Sequence, residues 1–119
     1  MEAVAKARFV RISPYKARRV IDLVRGRNVE DAINTLHFSG KSAAIPIEKT
    51  IRSAIANMLN HNDTSKVDPH NLYVKMAKVD GGPSLKRFRA ASMGRPMRLK
   101  KRTCHITVIV AELTNKQLN

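Results

Sequence analysis

The side chains in this sequence best placed to do chemistry are cations. Between Gly81 and Arg102 stand Lys86, Arg87, Arg89, Arg95, Arg98, Lys100, Lys101 and Arg102, with no acidic residue between Asp80 and Glu112. No pairing inside that stretch can neutralise it, so its natural counterpart is a polyanion from outside. Leu85, Phe88, Met93, Met97 and Leu99 are scattered singly among the charges and are too few to bury one another. The stretch is expected to be an arm that becomes ordered by lying in a nucleic acid. A solvated, disordered loop is the alternative.

Bond-making chemistry has little to stand on. His37, His61, His70 and His105 show no metal-ligand spacing, and the single cysteine, Cys104, cannot build a zinc site with them locally. Cys104 and His105 are adjacent, so in a strand they face opposite sides and cannot act as nucleophile and base. Asp22, Glu48 and Asp80 are single carboxylates with surface or cap explanations, and no glycine-rich phosphate loop appears. No enzyme activity, cofactor or metal is expected.

Composition narrows the partner. Twenty-three Lys and Arg against nine Asp and Glu give a net charge of +14 over 119 residues, and the pI is near 10.8. That balance points to nucleic acid or an anionic membrane surface. A membrane is disfavoured because no apolar run approaches the ~20 residues a spanning helix needs. Met1 to Val10 lacks the continuous apolar core of a signal peptide. One cysteine excludes an internal disulfide and fits a reducing compartment. With 43% hydrophobic residues the chain can form a modest core, as one domain over residues 1–119. Residues 80–102 form the arm within it.

Around the arm the elements are legible. Ala3 to Arg11 alternates, with Ala5, Ala7 and Phe9 on one face, so it reads as a half-buried strand with Phe9 in the core. Ser13-Pro14 is a helix start, followed by the apolar stripe Ala17, Val20, Ile21, Val24, with Gly26 as the stop. Asn28 caps a second helix; Glu30 and Asp31 suit its positive end, Val29, Ala32, Ile33 and Leu36 form its stripe, and Gly40 ends it. A longer helix is expected from about Ser42 to Asn60, with Ile47, Ile51, Ala54, Ile55, Met58 and Leu59 on one face and Pro46 near its start. Asn62 to Ser65 is loop chemistry. Leu72, Val74 and Met76 alternate with Tyr73, Lys75 and Ala77, and Cys104, Ile106, Val108 and Val110 alternate with His105, Thr107, Ile109 and Ala111. The fold class is α+β: three helices on a small antiparallel sheet with a long protruding β-hairpin.

The last two strands bracket the arm. If they pair antiparallel, the residues between them go out and return as a hairpin, and about 11 residues per side would reach on the order of 35 Å. Its turn is expected around Arg89 to Gly94. Such a ribbon is marginal alone in water, and cations along its edges invite a phosphate backbone. On the first helix, Arg18, Arg19 and Arg25 are either a wet face or further phosphate ligands. Two other readings stay open: an architectural protein that inserts the ribbon into a DNA minor groove, and a polypeptide-binding module using Met58, Met76, Met93 and Met97.

Several runs carry a resemblance. Val79-Asp80-Gly81-Gly82-Pro83-Ser84-Leu85-Lys86-Arg87, Gly94-Arg95 and Lys101-Arg102-Thr103-Cys104-His105-Ile106-Thr107-Val108 resemble the bacterial large-subunit ribosomal protein L twenty-two family. In the front half Lys16-Ala17-Arg18, Leu23-Val24-Arg25-Gly26 and Ser53-Ala54-Ile55-Ala56-Asn57 do the same. The resemblance implies a structural constituent of the large ribosomal subunit in the cytoplasm that binds large-subunit (23S) rRNA, supports assembly and extends its hairpin to line the nascent-peptide exit tunnel. Implied partners are that rRNA, neighbouring large-subunit proteins and the nascent polypeptide, with no membrane and no DNA. Leu85, Lys86, Arg87, Phe88 and Arg89 would line the tunnel. Lys86, Arg87, Arg89, Arg95, Arg98, Lys100, Lys101 and Arg102 would hold rRNA in the arm, and Arg18, Arg19, Arg25 and Arg52 on the body. The family usually has Pro-Arg-Ala and one further residue before the hairpin glycine. Here Ala90-Ala91-Ser92-Met93 stands there, and Pro96 replaces a more usual small residue, so the tip is expected to turn differently.

Overall fold

The structure is a computed structural model that describes residues 2–61, 69–90 and 96–112, with side chains described for 2–60, 70–85 and 101–112. The chain runs β1 (Glu2–Val10), α1 (Pro14–Ile21), α2 (Val29–His37), α3 (Ala44–His61), a 3-10 turn (Pro69–Asn71), β2 (Leu72–Gly81), β3 (Leu85–Ala90), β4 (Pro96–Lys101) and β5 (Cys104–Glu112). β5 is the middle strand of an antiparallel three-stranded sheet ordered β1-β5-β2, and β3 and β4 form a separate two-stranded ribbon. The expected α+β class is what is seen.

Local chemistry explains the helix starts. The Ser13 hydroxyl accepts from the Lys16 N–H at 3.4 Å and Pro14 opens α1. Asn28 Oδ1 accepts from the Glu30 N–H at 2.9 Å, while its Nδ2 donates to the His70 carbonyl at 2.9 Å. Both helices stop earlier than the glycines suggest. Leu23 and Val24 donate to Val20 and Ile21, three residues back, so α1 tightens into a turn that Gly26 closes at φ +74°. Val24 remains fully buried through that turn. α2 ends at His37, with Phe38 as its cap, before Gly40 is reached. Pro46 sits within the first turn of α3, and its carbonyl accepts from Thr50 Oγ1 at 2.7 Å.

The core lies between the three helices and one face of the sheet. Ile21, Leu36, Ile47, Ile51, Met58, Leu72, Ile106, Val108 and Val110 are among its largest fully buried side chains. Each contributes about 1.5–3 kcal/mol by leaving water. Leu59, assigned to the apolar face of α3, is 43% exposed. It lies at the edge of the stripe, while Ile51, Ala54 and Met58 take the centre.

Two bulges overturn the simple strand alternation. In β2 the register shifts between Val74 and Met76, so Met76 turns outward and Ala77 takes the buried position. In β1 it shifts between Ala7 and Val10, and Phe9 adopts φ +58°. An extra residue flips the parity of everything after it. Phe9, expected in the core, is therefore 62% exposed.

β2 and β5 pair from Leu72↔Glu112 to Gly81↔Cys104, and the ribbon pairs from Leu85↔Lys101 to Ala90↔Pro96. Arg89, expected in the turn, is thus still in a strand, opposite Met97. The rest of the expected turn, residues 91–94, and the loop chemistry at residues 62–65 lie outside the described residues. The molecule is elongated, with extents of 65 × 25 × 20 Å.

Candidate nucleic-acid interface

Register assembles the ribbon's charge. Its paired positions are Leu85↔Lys101, Lys86↔Lys100, Arg87↔Leu99, Phe88↔Arg98, Arg89↔Met97 and Ala90↔Pro96. Every rung but the last carries at least one cation, and Lys86 is paired in register with Lys100. Like charges at directly opposed positions destabilise a strand pair, and an anion laid across them removes that cost. The side chains of Lys86, Arg87, Phe88, Arg89, Arg98 and Lys100 lie outside the described ones, and Arg95 lies outside the described residues altogether. Leu85, Lys101 and Arg102, at the base, are exposed.

Between sheet and ribbon is a tight neck. Gly82 N–H donates to the Thr103 carbonyl at 3.0 Å, and Thr103 Oγ1 donates to the Pro83 carbonyl at 2.6 Å. A Cβ at Gly82 would lie 2.5 Å from Thr103 Oγ1 and 3.3 Å from two ring atoms of His105. Glycine is required here by close approach. Thr103 is buried at 5% exposure, so the bond that turns the chain into the ribbon is sheltered from water.

Beside the neck, Arg11, Ser13, Lys101 and Arg102 line a cleft of about 540 Å³. Lys101 and Arg102 were legible as part of the arm. Arg11 was not, because a lone arginine after a strand carries no signal; only the antiparallel pairing of β1 with β5 brings it to them. A second cleft, of about 620 Å³, lies between α1 and the turn before α3, with Lys16, Arg19 and Lys41 among its lining. Lys16 and Lys41 also escaped the sequence reading.

The four body arginines have different duties. Arg18 Nε donates to the Val79 carbonyl at 3.2 Å and Arg25 Nε to the Ala77 carbonyl at 2.7 Å, fastening α1 along the outer edge of β2. Arg25 also pairs with Asp22. Arg52 is held by Glu48 at 3.0 Å, one helical turn away. Arg19 lies 5.9 Å over the Tyr15 ring and opens into the larger cleft.

Cys104 and His105 face opposite sides of β5, as expected: Cys104 is fully buried and His105 half-buried. Burial pushes the Cys104 thiol above its ordinary value of 9.0, with Arg18 opposing more weakly, so it is a neutral core group. His105 Nδ1 accepts the Phe9 N–H at 3.1 Å, and the two rings meet edge to face at 5.0 Å. Among the described residues no cluster of His, Cys, Asp or Glu could hold a metal ion, and no helix is long and apolar enough to cross a membrane.

This arrangement can bind anions along a ribbon, at its neck and on one helix face. A family model described as ribosomal protein L22p/L17e matches residues 5–111. The large ribosomal subunit protein uL22 of Carboxydothermus hydrogenoformans is 53% identical over 112 residues, covering 94% of this chain and 96% of that protein.

Proposed function

The chain belongs to the ribosomal protein L22p/L17e family and is a structural constituent of the large ribosomal subunit; from that premise we propose how its residues engage rRNA. The body docks on phosphates through Arg19 and the clefts at the neck and at α1. It reads shape more than sequence, because the deep, narrow major groove of A-form RNA excludes side chains. Lys86, Arg87, Arg89, Arg95, Arg98, Lys100, Lys101 and Arg102 neutralise backbones that meet along the ribbon and tie separate RNA segments together. Arg18, Arg25 and Arg52 add phosphate contacts through whatever their internal bonds leave free. Leu85 to Arg89 line the tunnel wall facing the nascent polypeptide, and the role is architectural, without catalysis. The place of action is the cytoplasmic ribosome, among neighbouring large-subunit proteins.

One observation carries this reading: five of the six ribbon rungs hold a Lys or Arg, and no carboxylate lies between Asp80 and Glu112. The test is salt-dependent binding to large-subunit rRNA, comparing the natural chain with one in which Lys86, Arg87, Arg89, Arg95, Arg98 and Lys100 are all Gln. At roughly 0.7–0.9 per phosphate, six lost contacts flatten the slope of log K against log salt by up to about 5 units. An unchanged slope, or equal affinity for duplex DNA of the same length, refutes it.

A further inference from the structure

We infer that Phe9, propped on His105, is a stacking platform for an unpaired RNA base whose phosphate lies in the cleft of Arg11, Lys101 and Arg102. The inference rests on the rRNA-binding reading and adds a site to it. Phe9 presents 62% of its surface to solvent although it belongs to the sheet. Its φ of +58° is the one positive value among the described non-glycine residues. For a bulky aromatic that is a costly conformation, held only where surrounding contacts over-determine it, and such residues gather at functional positions.

The holding contacts are present. The Phe9 N–H is bound to His105 Nδ1, and the imidazole meets the phenyl ring edge to face at an interplanar angle of 89°. His105 is backed in turn by Gly82, whose missing Cβ leaves room for the imidazole. The ring is thus fixed, and fixed outward. An aromatic ring 62% exposed and yet rigidly supported buries little for the fold, whereas a π-face of this kind is what an unstacked base accepts.

Its neighbours suit a nucleotide. Two residues on, just past the end of β1, is Arg11, which shares its cleft with Lys101 and Arg102 just before the start of β5. Across the sheet, Lys6 and Lys78 both pair with Thr107, two residues from His105. The one carboxylate in register with His105 is Asp80, and it is 3.6 Å from Lys78 Nζ. Phe38 is still more exposed, at 84%, and meets His37 edge to face at 5.2 Å, but it caps a helix at φ −93°, an ordinary conformation that needs no holding.

The chain has no tryptophan, so Phe9→Trp and Leu59→Trp, the latter partly exposed on α3 and lining neither cleft, each install a single tryptophan. The probe is the large-subunit rRNA transcript. Binding should quench the Trp at position 9 and leave the one at position 59 bright. Phe9→Leu should weaken binding by roughly five- to a hundredfold, the range for losing one base–aromatic stack, while Phe9→Tyr retains it. Phe9→Tyr should keep the melting temperature of the free protein, since its ring still meets His105, and both changes should leave the salt slope intact. Equal quenching at both positions, or Phe9→Leu binding as well as the natural chain, overturns the platform and leaves the rRNA reading standing. Absence of rRNA binding by the natural chain overturns both.

Discussion

Replacing Gly82 with Ala tests whether the neck is held as described. The added methyl would stand 2.5 Å from Thr103 Oγ1, nearer than carbon and oxygen can approach, so the hydroxyl must leave its bond to the Pro83 carbonyl. Gly82 has no positive φ, so alanine meets no backbone penalty there and the cost is steric. Losing the bond costs about 1 kcal/mol, and a displaced hydroxyl at a buried threonine adds about 1–3 kcal/mol if it finds no new partner. Gly82→Ala should therefore destabilise the free protein by about 2–4 kcal/mol in urea unfolding. The decisive measurement is the double-mutant cycle with Thr103→Ala. Removing the hydroxyl removes the clash, leaving only the milder 3.3 Å approach to His105, so most of the loss should return in the double variant. A Gly82→Ala protein within about 0.5 kcal/mol of the natural one, or strict additivity in the cycle, would refute the steric account.

Other outcomes follow from the core and caps. Cys104 keeps its proton in the fold above its ordinary value of 9.0, so its contribution to stability is full below about pH 9 and falls as pH rises further, when the unfolded chain ionises first. Urea midpoints between pH 8 and pH 10.5 for the natural chain and Cys104→Ala should show the extra alkaline loss in the natural chain alone. Native Cys104 should also resist iodoacetamide until denaturant is added, since it is fully buried. Asn28→Ala removes a cap from α2 and a donor to the His70 carbonyl, and should cost about 1–2 kcal/mol, whereas Asn28→Asp, which keeps only the cap, should cost less. Ile51→Ala opens a cavity under the helix layer and should cost about 2–5 kcal/mol by the same measurement.

What could be read in advance followed from short-range rules. Ser13 before Pro14, Asn28 before Glu30 and Asp31, and the apolar face Cys104, Ile106, Val108 and Val110 of β5 all follow from rules acting within one or two turns of chain, and each is observed, although Thr107 and Ala111 on the opposite face of β5 are buried as well. Phe9 and Met76 could not be placed, because a bulge is invisible to period-two counting and reverses it from that point on. Leu59 has helical spacing with Ile51 and Ile55, yet burial depends on what neighbouring elements cover, which spacing does not record. For the candidate site, the charge of the arm was plain in the order of residues. The grouping of Arg11 with Lys101 and Arg102 was not, since it needs residues some ninety positions apart to be brought together by strand pairing. Arg18 and Arg25 look like free cations in a sequence, and only the fold reveals the carbonyls they already hold.

Those two arginines bear on the interval before the protein meets its RNA. A strand at the border of a sheet offers its open carbonyls and amides to any passing chain. Along β2 the Val74, Ala77 and Val79 carbonyls are already taken by Gly26, Arg25 and Arg18. A newly made copy therefore offers fewer open acceptors along that border to a strand from another molecule. The free copy is guarded by α1 itself, so a substitution at Arg18 or Arg25 that releases the Val79 or Ala77 carbonyl would be a step toward aggregation.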